Sequence, residues 1–155
     1  MINSFRNEYA FLSNFQLLVN PIHWFGINYR TSEHFFVAMK TLRSDERMWI
    51  ASLDAAWKAK RAGGKYGFED RRITIRTDWD IIRYQVMRTA LTLKFSNNPD
   101  LMYKLCATGS QQLTEGNTWH DNTWGICSCV GCTNILGQNW LGILLMELIP
   151  FLQAN

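Results

Sequence analysis

The stretch Tyr29-Arg30-Thr31-Ser32-Glu33-His34-Phe35-Phe36-Val37-Ala38-Met39-Lys40 carries a carboxylate and an amine seven residues apart. An α-helix turns about 100° per residue, so Glu33 and Lys40 differ by only about 20° around its axis. Phe36 and Val37 fall between them on the same face. Two arrangements satisfy this pattern. In one, the face is exposed and Phe35 and Met39 go to the core. In the other, the face walls a pocket, where burial and mutual charge tune both groups for proton transfer. His34 reads as a hydrogen-bonded residue of the helix start, not as a catalyst.

A second cluster is His120-Asp121-Asn122-Thr123-Trp124-Gly125. A lone loop Asp ordinarily stabilises a turn. Beside Trp124 and a glycine, Asp121 equally suits a carboxylate held next to an aromatic platform. Hydrolysis of a glycosidic bond commonly uses two carboxylates around a developing oxocarbenium ion, and Glu33 with Asp121 is the best pair the chain offers. Trp79, in Thr77-Asp78-Trp79-Asp80, stands where a helix N-terminus attracts anions and an indole stacks on a base; it also fits an ordinary core position.

Cys127-Ser128-Cys129-Val130-Gly131-Cys132 forms a C-x-C-x-x-C cluster with His120 seven residues upstream. Four such ligands can hold zinc in a closed site. The spacing is tight and no second knuckle exists, so the expectation is three reduced thiols in a loop, with no metal assigned. Cys106 reads as a small core residue.

The elements that must position these groups follow from turn and capping signals. Residues 5–30 read as short extended pieces, with turns at Asn20-Pro21 and Phe25-Gly26 and strand residues Ile22, Trp24 and Tyr29. Thr31 or Ser32 caps a helix running to about Leu42 or Arg43. Another helical region starts near Ser44-Asp45-Glu46, is interrupted around Asp54 and stops at Gly63-Gly64. Ile73-Thr74-Ile75 predicts a short strand. Thr77 or Asp78 caps a long helix to about Phe95, with Ile82, Val86, Ala90 and Leu93 along one stripe. Pro99 opens a helix through Leu105 that Gly109 stops. Residues 109–138 are loop-rich, with a strand at 112–114, and a last apolar helix spans Asn139 to Ile149, ending at Pro150. The expected fold is a single helix-rich α+β domain with a small β-sheet over residues 1–155.

The bulk numbers agree with a folded enzyme-sized domain. The chain has 155 residues, 47% of them hydrophobic, and seven Trp, which is more indole than a core of this size needs. No stretch reaches the roughly 20 apolar residues of a membrane span, and the first residues lack a secretory pattern. The expectation is a cytoplasmic protein with reduced cysteines and no membrane partner. The net charge is +3, concentrated in Lys58, Lys60, Arg61, Lys65, Arg71, Arg72 and Arg76 against Glu69 and Asp70. Such a segment fits phosphate contact or a solvated basic face.

Assembled in order, these residues resemble the NADAR, or YbiA-like, family over nearly the whole chain. Ser13-Asn14-Phe15 matches its early motif, and Thr31-Ser32-Glu33-His34-Phe35-Phe36-x-Ala38-x-Lys40 its signature helix. Asp78-Trp79, Val86-Met87 and Lys94-Phe95 follow. Thr108-Gly109, Glu115, Asp121-x-x-Trp124-Gly125, Gly137-x-Asn139-x-Leu141-Gly142 and Leu145-Met146-Glu147 close the pattern. The cysteine loop departs from the shortest members, which are Gly-rich and Cys-free there.

The resemblance implies a YbiA-like α+β fold and hydrolysis of the bond between ribose C1 and an exocyclic amine. Of the two associated activities, removal of ADP-ribose from guanine in nucleic acid is expected here, with a cognate DNA ADP-ribosyltransferase toxin as a candidate partner and an antitoxin role. The other is clearance of ribosylamino intermediates of riboflavin biosynthesis, toward which the cysteine loop argues mildly against this chain. Carried over by position, Glu33 is the acid/base, with Lys40 and Asp121 as further catalytic residues. Asn14, Phe15, Trp79, Trp124 and Asn139 would bind or shape the substrate site. No cofactor is required. Two readings from other classes use the same residues: a non-catalytic NAD or ADP-ribose module, and a nucleic-acid-binding protein with a structural zinc.

Overall fold

The computed structural model describes residues 1–154. Contacts divide the chain into two compact units, Asn14–Asn98 and Met1–Ser13 with Pro99–Asn155. The helix-rich α+β character expected from the sequence holds in each.

In the Asn14–Asn98 unit, β1 (Ile22–Trp24) and β2 (Ile27–Tyr29) form an antiparallel hairpin. Phe25 and Gly26 both take positive φ, 46° and 78°, the backbone of a two-residue hairpin turn matched to strand twist. Helix α1 (Ser32–Ala38) follows, capped by the Thr31 side chain, which accepts from the His34 amide. All seven of its residues are buried, so it is the unit's central element. Phe35 fixes it against the hairpin through edge contacts with Trp24 and Tyr29 at 5.5 and 5.6 Å. Burying a side chain of this size stabilises by about 1.5–3 kcal/mol.

Helix α1 ends four to five residues earlier than its pattern predicts. The Lys40 and Thr41 amides bond to Val37 and Ala38 three residues back, a tightened last turn. Beyond it, the Thr41 hydroxyl is held by the Glu46 carboxylate. Helices α2 (Ser44–Ser52) and α3 (Ala56–Ala62) are separated at Leu53–Ala55, as the sequence indicated.

The strand expected at Ile73–Ile75 does not form. The Thr74 amide and hydroxyl are taken by Glu46 at 2.9 and 3.0 Å, so the segment bonds to a side chain and not to a neighbouring strand. Helix α4 (Trp79–Asn97) has Asp78 at its N-cap position without a side-chain cap, because that carboxylate pairs with Arg76. Its buried face is Trp79, Met87, Ala90, Leu91, Lys94 and Phe95, while Ile82, Val86 and Leu93 are only half-buried. The predicted stripe was therefore displaced around the helix. That stripe leaves out Trp79, which meets Phe36 of α1, and Met87, which meets the Asn14 side chain.

In the other unit, residues Asn7–Leu12 form a short 3-10 helix where extended chain was expected. Ile2 bridges to Leu113 in parallel, so the strand expected at 112–114 is a single bridge. Helices α5 (Pro99–Ala107) and α6 (Trp140–Gln153) pack together. Helix α6 runs through Pro150 instead of ending there. A proline in the last turn forfeits one backbone bond, and the flanking Leu148, Ile149 and Leu152 are buried, so apolar burial outweighs it. Two parallel strands of two residues each, β3 (Gly116–Asn117) and β4 (Ile126–Cys127), bracket the Asp121 loop. No helix among the described residues is long and apolar enough to cross a membrane.

Candidate active site

Helix α1 carries Glu33 and Phe36, the turn after it carries Lys40, and α4 meets Phe36 with Trp79. Phe36 and Trp79 contact edge-on, with centroids 5.0 Å apart and planes at 61°. The Lys40 Nζ lies 5.9 Å from the Phe36 centroid and 5.7 Å from that of Trp79, within cation–π range of both rings. It donates to the Gly63 carbonyl at 3.2 Å, one of the carbonyls left over where α3 ends.

Of the two arrangements open at the sequence level, the exposed face is not the one adopted. Glu33 is only 8% exposed. Burial holds the Lys40 pKa below that of an ordinary lysine; the facing Glu33 carboxylate opposes the drop, and Lys60 and Arg83 add to it. The site thus combines a carboxylate, an amine eased toward its neutral form and further cations, against two aromatic rings. Expected core positions Phe35, on α1, and Met39, just after it, are buried as well.

Asn14 sets the start of α1. Its carbonyl accepts from the Glu33 amide at 3.1 Å, its side-chain oxygen accepts from the Ser32 hydroxyl at 2.9 Å, and its Nδ2 donates to Met87 Sδ at 3.4 Å. Backbone and side chain of Asn14 together link the start of α1 to α4. Phe15 is 42% exposed, with the Lys60 amine 5.8 Å over its ring. His34 is fully buried between the Thr31 hydroxyl (2.7 Å) and the Leu53 carbonyl (2.9 Å), in keeping with a structural role at the helix start.

Arg83 escaped the sequence reading. It lies four residues after Trp79 on α4, one turn along the same face. Its guanidinium reaches the Tyr84 hydroxyl at 3.0 Å and Asp80 at 3.9 Å, while its buried Nε has no hydrogen-bond partner among the described residues. The i, i+4 relation to Trp79 was the available signal. In the basic segment, Lys58 pairs with Asp54 at 2.7 Å, Arg76 with Asp78 at 2.6 Å, and Arg71 stacks 4.3 Å over Trp49. Much of that charge is internally engaged, and Lys60 is the member that electrostatically reaches Lys40.

Asp121, Trp124 and Asn139 belong to the other unit. The Asp121 carboxylate accepts from the Thr123 and Trp124 amides at 3.1 and 2.9 Å, a turn closed by its own side chain. Trp124 is half-buried, and its carbonyl accepts from the Leu141 amide at 3.0 Å. Asn139 has φ 53° and ties residues 113–115 to the start of α6, donating to the Leu113 carbonyl at 2.8 Å and accepting from the Glu115 amide at 3.0 Å. His120, Cys127, Cys129 and Cys132 converge. Cys106, expected in the core, is half-buried at the α5 surface.

Comparison with known proteins bears on this arrangement. A model of the NADAR domain matches residues 3–152. The N-glycosidase YbiA of Escherichia coli is 36% identical over 142 residues, covering 92% of this chain and 81% of YbiA. A riboflavin biosynthesis protein, the chloroplastic PYRR of Zea mays, is 39% identical over 74 residues, which span 48% of this chain and 11% of PYRR. The NMR structure of E. coli YbiA superposes with a TM-score of 0.77 and 32% identity, covering 99% of this chain and 88% of that one.

Proposed function

The chain belongs to the NADAR family, and from that premise we propose that it is an N-glycosidase that removes ADP-ribose from guanine bases of nucleic acid. N-glycosidase chemistry itself rests on the relatives, which carry that activity in their names. The observation that carries the substrate reading is the Glu33–Lys40 wall, with cations gathered around two aromatic rings. A flat base suits Phe36 and Trp79, and a diphosphate suits Lys60 and Arg83.

The bond to be cut joins ribose C1 to an exocyclic amine. Glu33 delivers a proton to the leaving nitrogen as the C1–N bond breaks, and then takes one from the water that adds to C1. A second route uses Lys40. Its neutral amine attacks C1 of the ring-opened sugar, the C1–N bond to the base breaks as its nitrogen takes a proton and leaves as a free amine, and water releases the sugar from the resulting Schiff base while Glu33 carries the protons. The lowered Lys40 pKa supports this route by raising the neutral fraction. Clearance of ribosylamino intermediates is the second substrate reading, favoured by the partial similarity to PYRR.

The test is an oligonucleotide bearing ADP-ribose on guanine, incubated with wild type and Glu33→Gln and followed by mass spectrometry. Release by wild type and not by the variant is expected. Inertness toward the oligonucleotide, with cleavage of ribosylamino-pyrimidine phosphates, would move the substrate to the second reading.

A further inference from the structure

His120, Cys127, Cys129 and Cys132 each bring one donor atom within 4.8 Å of all the others. The chemistry assigned to Glu33 and Lys40 uses none of them. Four-coordinate zinc with Zn–S of about 2.3 Å and Zn–N of about 2.0–2.1 Å holds sulfur pairs roughly 3.8 Å apart and nitrogen–sulfur pairs roughly 3.6 Å apart. His120 Nδ1 already stands 3.3 Å from both Cys129 Sγ and Cys132 Sγ. No pair needs to close by more than about 1.2 Å to reach the tetrahedral spacing. We propose that these four side chains bind one zinc ion in a closed structural site that braces the Asp121 loop.

The surroundings suit thiolates. On binding, three thiols release their protons to solvent and His120 coordinates as a neutral imidazole, leaving one net negative charge on the centre. A donor is in place to receive it. Asn122 Nδ2 reaches Cys132 Sγ at 3.3 Å. Asn122 also accepts from the Cys127 amide at 3.0 Å, so one side chain joins two ligands. None of the four cysteines is in a disulfide, and a Cys–Cys bond would leave a third thiol and the histidine unused. The donors are also too close together for an iron–sulfur cluster, which spreads its thiolates over several irons.

The segment needs such a staple. Its regular structure is two strands of two residues and one 3-10 turn. Val130, Ile135 and Leu136 are 91%, 53% and 93% exposed, so little apolar packing of its own holds it. Local structure without a core is where a metal contributes most. His120 directly precedes Asp121 and takes φ 67°, an uncommon backbone for a non-glycine residue. Metal ligation is an interaction strong enough to hold it there.

The experiment is metal analysis of the full-length protein purified without chelator or affinity metal, together with replacement of the bound ion by Co(II). One zinc per chain is expected. The Co(II) form should show thiolate-to-metal charge transfer in the near ultraviolet and the strong d–d bands of a tetrahedral ion. Cys129→Ser should lower zinc content and thermal stability, whereas Cys106→Ser, outside the cluster, should keep both. Zinc below about a tenth of an equivalent after growth in zinc-supplemented medium would overturn the proposal. So would a Co(II) spectrum without thiolate bands, or a Cys127–Cys132 disulfide found by mass spectrometry in place of metal. The wild-type measurements stand whether or not any variant folds.

Discussion

The Lys40 amine is anchored on the carbonyl of Gly63, 3.2 Å away, and Gly63 is the residue whose missing side chain lets α3 end against α1. A Cβ built there would lie 2.6 Å from Val37 Cγ1 and 3.5 Å from Lys40 Cδ. The backbone of Gly63 is ordinary right-handed helix, so the demand for glycine is one of space and not of torsion.

Gly63→Ala is therefore expected to push Val37 and the Lys40 anchor apart. Overpacking of this kind costs about 1–3 kcal/mol of stability, and a shift near 1 Å at a reacting group can lower kcat/KM by up to about 100-fold. Val37→Ala, by removing the atoms that clash, should restore much of both losses in the double variant. Urea unfolding and initial rates of all three variants close the cycle. Additive losses would place the requirement for Gly63 somewhere other than Val37.

Lys40 illustrates a cost of function. Burial disfavours its ammonium form, and Glu33 recovers only part of that. The folded state thus binds the proton less tightly than the unfolded chain does. Stability contributed by this group rises as pH climbs from its folded pKa toward the unfolded lysine value and is lowest below the folded pKa. Lys40→Met fills similar space without the buried charge, so at neutral pH it should be at least as stable as wild type by thermal melting, yet inactive. If Lys40 forms a Schiff base, borohydride under turnover traps a wild-type adduct that Lys40→Met lacks. An active Lys40→Met would remove the amine from the mechanism.

How much of this was legible in the sequence depends on the range of the interactions. Local signals did well: the Phe25-Gly26 turn, the Thr31 cap and the break near Asp54 each depend on a few consecutive residues. Glu33 and Lys40 were paired by helical period alone. The end of α1, the absence of a strand at 73–75 and the true face of α4 were not legible. Each involves a distant partner, namely Glu46 for Thr41 and for Thr74, and Phe36 for Trp79. Arg83 belongs with these, since its significance depends on which face of α4 meets Lys40. The cysteine loop is a different case. Ligand spacing alone left the place of His120 open, whereas the folded loop brings it round to the three sulfurs.

His34 predicts an acid limit for the fold. Burial pushes its pKa below that of a free histidine, the Leu53 carbonyl opposes this, and Arg30 adds to it. With the Thr31 hydroxyl and the Leu53 carbonyl on its two nitrogens, the neutral ring is the form the site accepts. The unfolded chain takes up a proton near pH ~6.5, whereas the folded one resists until lower pH. Stability from this group is therefore complete above that value and falls as pH drops toward the depressed folded pKa, then levels off below it. Wild type should lose thermal stability in this way as pH falls below about 6.5. His34→Gln, which keeps one polar contact without a titrating ring, should be less stable at neutral pH and show a shallower decline. Equal slopes for the two proteins across that range would assign the acid sensitivity to other groups, of which the Glu46 carboxylate, held by Thr41 and Thr74, is the next to test.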